Sequence, residues 1–200
     1  MLVGYRMGNI TSLMNAFAAV GVNARVAERP EQVRQGSHVV LPGVGAFAKG
    51  MGNLRGLGFE PEVRRWVAEG RPLLGVCVGM QLLATVGEEH GITEGLGFVP
   101  GRATMLDTNG LRLPHIGWND TTAVRDSILL GPAGAVEFFY YVHSFQLIPD
   151  DPATITLRTS YGEDFAAGVQ RDNVLGLQFH PEKSHAAGLA VLRRFADMQC

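Results

Sequence analysis

Along the first half of the chain, short unbroken apolar runs alternate with segments in which apolar residues return every three or four positions. Ile10, Leu13, Met14, Phe17 and Val20 share one face at helical spacing, so a helix is predicted over 11–20, with Gly21 as its stop. Residues 24–27 read as a short strand, and 38–41 as a buried strand closed by Pro42-Gly43-Val44-Gly45. A second helix is predicted over 61–69, with Val63, Trp66 and Val67 inward and Gly70 ending it. A strand over 73–76 runs into a helix from Val78 to about Val86. Beyond Val86 the rhythm changes to strand-like segments at 103–106, 137–143, 154–160, 165–170 and 174–179. Leu189, Val191, Leu192, Phe195 and Met198 form a last amphipathic helix.

This order predicts an α/β fold: an open, mixed, largely parallel sheet with helices on both faces and a strand-rich second half. No linker or repeat interrupts the pattern, so residues 1–200 are read as one domain, a length that supports one substantial core. A net charge of −2 without a dense basic cluster argues against a nucleic-acid partner. No apolar run is long enough to span a membrane. Two cysteines, one of them the terminal Cys200, make no disulfide framework, so a reducing cytoplasm is the expected compartment. No metal-ligand spacing is visible, and the glycine pattern fits neither a phosphate loop nor a dinucleotide fingerprint, so no cofactor is expected.

The 26 glycines change the picture most, because they gather at the predicted ends of strands. In Gly75-Val76-Cys77-Val78-Gly79 a cysteine stands between two glycines where strand gives way to helix. That is the pattern of a strained elbow presenting a nucleophile, with the following helix N-terminus favouring a thiolate. By residue type alone a buried structural cysteine is the commoner reading; the flanking glycines favour the nucleophile.

A cysteine nucleophile needs a base, and the base needs an orienting group. His38 opens a buried strand and reads as structural, while His90 and His185 fall in polar, exposed loops. His115 in an irregular stretch and His143 at a strand end are both placed to line a site. His180 follows a strand and is succeeded by Pro181 and Glu182, whose carboxylate is placed to hold one imidazole nitrogen while the other faces the thiol. The proposed triad is Cys77, His180 and Glu182. The turn at Pro42–Gly45, together with the N–H of Val78, offers an oxyanion site.

Gly75-Val76-Cys77-Val78-Gly79-Met80-Gln81 with His180-Pro181-Glu182 resembles the class I glutamine amidotransferases. Leu41-Pro42-Gly43-Val44-Gly45, Pro114-His115-Ile116-Gly117-Trp118-Asn119, Tyr141-Val142-His143-Ser144 and Gln178-Phe179-His180-Pro181-Glu182-Lys183-Ser184 are similar to the glutaminase subunits of imidazole glycerol phosphate synthases within that family. The resemblance implies hydrolysis of glutamine by Cys77, His180 and Glu182. It implies an oxyanion hole from Val44, Gly45 and Val78, and glutamine contacts at Gln81, His143, Ser144 and Phe145. It further implies a heterodimer with a (β/α)8-barrel cyclase subunit that takes up the ammonia, met by Asn9, Trp118, Tyr140 and Lys183. The motifs fill the chain and leave no room for an acceptor domain, which again calls for a separate partner. The short start Val3-Gly4-Tyr5-Arg6-Met7 and Val78 in place of the usual leucine depart from the family pattern. They leave open a paralogous glutaminase serving another synthase; a non-catalytic regulatory module is the third reading.

Overall fold

The computed structural model describes residues 1–199; Cys200 lies outside the described residues. In chain order the strands and helices are β1 (Leu2–Val3), α1 (Ile10–Ala19), β2 (Val26–Ala27), β3 (Val39–Leu41), α2 (Phe47–Gly56), α3 (Phe59–Ala68), β4 (Leu73–Val76) and the single turn α4 (Val78–Gln81). Then come β5 (Val86–Gly87), β6 (Thr93–Glu94), β7 (Gly101–Met105), β8 (His115–Ala123), β9 (Val136–His143) and β10 (Phe145–Pro149). β11 (Ile155–Tyr161), β12 (Glu163–Arg171), β13 (Val174–Leu177) and α5 (His185–Ala196) complete the chain.

The main sheet has nine strands in the order β2-β1-β3-β4-β13-β12-β11-β8-β9. From β2 to β13 neighbouring strands are parallel; from β13 to β9 they are antiparallel. A smaller sheet, β10-β7-β5-β6, packs beside it. β3, β4 and β13 are buried at every position. That requires cover on both faces and explains why these strands are continuous apolar runs. β13 lies directly beside β4, with Leu177 opposite Val76. The residues that follow these two strands therefore emerge together at the carboxyl edge of the sheet, where open α/β sheets place their sites. Among the described residues no helix is long and apolar enough to cross a membrane.

Local differences from the predicted pattern have physical causes at α4, α2 and β8. The helix expected from Val78 to Val86 stops at Gln81. The carbonyls of Leu82, Leu83, Ala84 and Thr85 accept instead from the amides of Leu96, Val99, Gly97 and Gly95, so the neighbouring loop takes the bonds a helix would have used. Helix α2 lies outside the predicted helices because Gly50, Gly52, Asn53 and Gly56 are poor helix formers; Phe47, Met51 and Leu54 nonetheless form a buried stripe. The stretch around His115 is a strand, β8, whose alternation is inverted. His115, Thr121 and Ala123 point inward while Ile116 and Trp118 face out. β10, also absent from the sequence reading, pairs antiparallel with β7.

Candidate active site

Cys77 sits between β4 and α4 with φ 54° and ψ −115°, a conformation that costs a non-glycine residue on the order of 1–3 kcal/mol. Surrounding backbone holds it there. A Cβ on Gly79 would lie 1.9 Å from the Leu41 carbonyl oxygen, one on Gly75 would lie 2.5 Å from the Gly79 oxygen, and one on Gly43 would lie 2.4 Å from the Gly79 nitrogen. The elbow and the turn after β3 are thus in main-chain contact, which only glycine permits. The fully buried Tyr5 hydroxyl donates to the Pro42 carbonyl and fixes that turn from below. Burial, and then the charge of Cys77, push the Tyr5 phenol well above its ordinary pKa, so it remains a donor. The N–H groups of Val44, Gly45 and Val78 have no hydrogen-bond partner among the described residues. Because α4 is one turn long, the dipole of an extended helix is not what acts on the sulfur; local N–H groups and side chains are.

His180 follows β13 by three residues and is clamped by main chain. Its N–H donates to the Tyr140 carbonyl at 2.9 Å, and its own carbonyl accepts from Ser184 Oγ at 2.6 Å. Nδ1 lies 2.8 Å from Glu182 Oε1, and the side chains of both residues are 2% exposed. Burial alone would lower the His180 pKa, but contact with Cys77 and Glu182 and their negative charges raise it to about 10. Among the described residues the second ring nitrogen, Nε2, and Glu182 Oε2 are buried without a formed hydrogen bond. The approach of Nε2 to the sulfur is accordingly electrostatic, with the closing bond left for the reacting complex.

A cavity of about 360 Å³ opens onto Cys77 and His180, large enough for an amino acid. Val44, Gly45, Val78, Gln81, His143, Ser144 and Phe145 all line it. Glu182 does not; it stands behind His180. Sequence reasoning missed Glu89, Pro114 and Val142, which also line the cavity. Among the described residues Glu89 is the one carboxylate there, and its Oε2 accepts the Phe47 N–H at 2.8 Å, capping α2. Nothing in the polar run Glu88-Glu89-His90 distinguishes it from a solvated loop. A larger cavity of about 530 Å³ lies around Met1, His38 and Arg193 and shares no lining residue with the Cys77 cavity. Among the described residues no three His, Cys, Asp or Glu side chains gather as a metal site.

The glutamine amidotransferase class-I family matches residues 2–198. The chain belongs to that family. It is 41% identical over 204 residues to the imidazole glycerol phosphate synthase subunit HisH of Syntrophotalea carbinolica, covering 99% of each. To the HisH subunit of Symbiobacterium thermophilum it is 44% identical, covering 100% of this chain and 94% of the relative. A crystal structure of a glutamine amidotransferase superposes with a TM-score of 0.76 at 21% identity, covering 98% of both chains, which establishes the shared fold.

In this amidotransferase the remaining expected residues gather on an outer face. Trp118, 45% exposed, pairs across β8 and β9 with Tyr140, their rings 6.1 Å apart. Lys183 Nζ lies 5.5 Å from the Tyr140 ring. His185 is not in a loop: it opens α5 and stacks on Trp118 at 4.9 Å. Asn9 caps α1 by accepting from the Ser12 N–H at 3.3 Å, and a groove joins Ser12 and Asn15 to Lys183 and His185. Ile116 and Phe138 extend this apolar face, at 59% and 60% exposed.

Proposed function

We propose that this amidotransferase is the glutaminase subunit of an imidazole glycerol phosphate synthase, acting as one domain in histidine biosynthesis in the cytoplasm. The observation that carries the reading is a buried Cys77–His180–Glu182 line opening on an amino-acid-sized cavity, in a chain about 40% identical to HisH subunits over its full length.

Glutamine places its side-chain carboxamide between Cys77 and the N–H groups of Val44, Gly45 and Val78. Gln81, His143, Ser144 and Phe145 line its path, and Glu89 receives its α-ammonium group. Sγ attacks the carboxamide carbon, and the electron pair displaced onto oxygen is held by those N–H groups. Held in its protonated form, His180 gives its proton to the departing nitrogen and ammonia leaves. The imidazole, now neutral, takes a proton from water as hydroxide attacks the γ-glutamyl thioester, releasing glutamate and the Cys77 thiolate. Glu182 holds Nδ1 and keeps Nε2 on the sulfur.

Ammonia released to neutral water becomes ammonium and ceases to be a nucleophile, so the product must reach its acceptor under cover. The apolar face around Trp118, Tyr140 and Phe138 is of the kind that marks a protein interface. Its partner in this reading is the (β/α)8-barrel cyclase subunit, forming a heterodimer whose lyase reaction yields imidazole glycerol phosphate and an aminoimidazole ribotide. Glutamine hydrolysis measured with and without the cyclase and its nucleotide substrate tests this. Turnover that rises on adding both supports it; full turnover by the isolated chain, or none in the assembled complex, sinks it.

A further inference from the structure

We propose that Gln178 is a further catalytic residue of this site: its side-chain amide donates an N–H to the Cys77 sulfur from a buried position outside the lining of the glutamine cavity. This deepens the glutaminase reading of Cys77 and rests on it.

The argument is one of hydrogen-bond polarity, and it starts at a group whose role is fixed. The Phe145 carbonyl can only accept. It lies 2.8 Å from the Gln81 amide and 2.9 Å from His143 Nδ1, so Gln81 presents its NH2 group and His143 an Nδ1–H. The second N–H of Gln81 is directed at Gln178, 3.1 Å away. The Gln178 atom at that contact must then be Oε1, since a reversed amide would set two donors against each other. Nε2 is left on the far side, 3.8 Å from Cys77 Sγ.

The histidines lock the same chain from its other end. Burial lowers His143 to about 3 and His115 to about 4, so both are neutral at physiological pH, with one N–H apiece. With its proton on Nδ1, His143 accepts at Nε2 from His115 Nδ1, 3.1 Å away, and the Asn119 amide lies 3.4 Å from His115 Nε2. Asn119 also donates to the Ser160 carbonyl at 2.9 Å. Every donor from Asn119 to Gln178 has one permitted direction.

Gln178 is completely buried and takes no part in lining the cavity, so its amide has no evident substrate role. At the sulfur it opposes the Val142 carbonyl, 3.9 Å away, which can only accept and so favours the S–H form. An N–H donor favours the charged sulfur instead. The same bond serves twice. It supports the thiolate before attack, and it supports the sulfur again when the C–S bond of the thioester breaks and the electron pair returns to it.

The test uses the full chain carrying Gln178→Glu or Gln178→Met. The first keeps an acceptor for Gln81 and, when ionised, offers the sulfur a negative charge in place of a donor; the second keeps the length without either. Iodoacetamide alkylation at neutral pH, read on the Cys77 peptide, is expected to slow by about ten- to a hundredfold in both, the loss of one hydrogen bond to a charged group. Thiolate ultraviolet absorbance should fall with it. With the cyclase present, kcat should drop by a similar factor while the glutamine KM stays within about twofold. Unchanged alkylation in either folded variant, or a raised KM with kcat intact, overturns the proposal. Wild-type protein that alkylates readily but hydrolyses no glutamine in the complex would instead sink the glutaminase reading, leaving the Gln178 contact to be judged on alkylation alone.

Discussion

The parallel and antiparallel halves of the main sheet bury their residues by opposite rules. β3, β4 and β13 are apolar on both faces and entirely enclosed, and they contribute to the site through backbone: the Cys77 elbow, the Pro42–Gly45 turn and the segment leading to His180. β8 and β9 turn titratable and hydroxyl groups inward, with His115, Thr121, Tyr141 and His143 in contact, and leave Ile116, Trp118 and Phe138 facing solvent. One half fixes positions that chemistry needs. The other carries a polar wall on its inside and an exposed apolar face on its outside, so in the proposed function a single pair of strands would address glutamine and a second protein at once.

On that division the largest effects belong to the parallel half. Cys77→Ala should lower glutamine-dependent turnover by at least about a thousandfold, while synthesis from added ammonia by the complex persists. Loss of both in a folded complex would break the comparison, because the elbow would then be structural for the partner as well. Gly79→Ala should also be severe. Its methyl carbon would fall 1.9 Å from the Leu41 oxygen, and a backbone neighbour cannot swing aside. A loss of about 3–5 kcal/mol in chemical denaturation is expected, together with loss of activity.

The antiparallel half should respond differently on its two faces. Trp118→Ala should leave the melting temperature nearly unchanged, because the ring is half exposed, yet weaken cyclase binding by about ten- to a hundredfold in a titration. Equal binding would remove the outer face from the interface. The inner face should show in acid. His143 has an ordinary value of 6.5 and a folded value of about 3, so the unfolded chain takes up a proton first as pH falls. Stability present above about 6.5 is therefore lost on the way down, on the order of 3 kcal/mol near pH 4. His180 runs the other way: raised to about 10, its contribution is complete below its ordinary 6.5 and fades as pH climbs toward 10. His143→Asn should flatten the acid limb of a stability–pH curve and leave the alkaline limb in place.

The same contrast explains what could be read from residues alone. Strands enclosed on both faces announce themselves as apolar runs, and glycines flanking a cysteine mark a chain reversal that few other functions require. Both are local signals, and Cys77 and His180 emerge from them. β8 escaped because its alternation places histidine and threonine inside and tryptophan outside, the reverse of a soluble strand's usual pattern. The end of α4 escaped because it is decided by amides at 95–99, remote in sequence. Glu89 reaches the cavity by capping α2, and Gln178 reaches the sulfur through the fixed order of neighbouring amides. Neither is a property of its own neighbourhood in the chain.

The main-chain seam between Gly43, Gly75 and Gly79 also divides the site into parts that can vary and parts that cannot. A library randomised at these positions should return glycine at each, because any larger residue forces the Pro42–Gly45 turn and the Cys77 elbow apart. Val44 lies next to the seam; in the proposed mechanism it contributes its N–H, and it is 43% exposed. Diversity aimed at new amide substrates therefore belongs at Val44, Pro114 and Ser144, where altered side chains reshape the cavity without touching the geometry of attack.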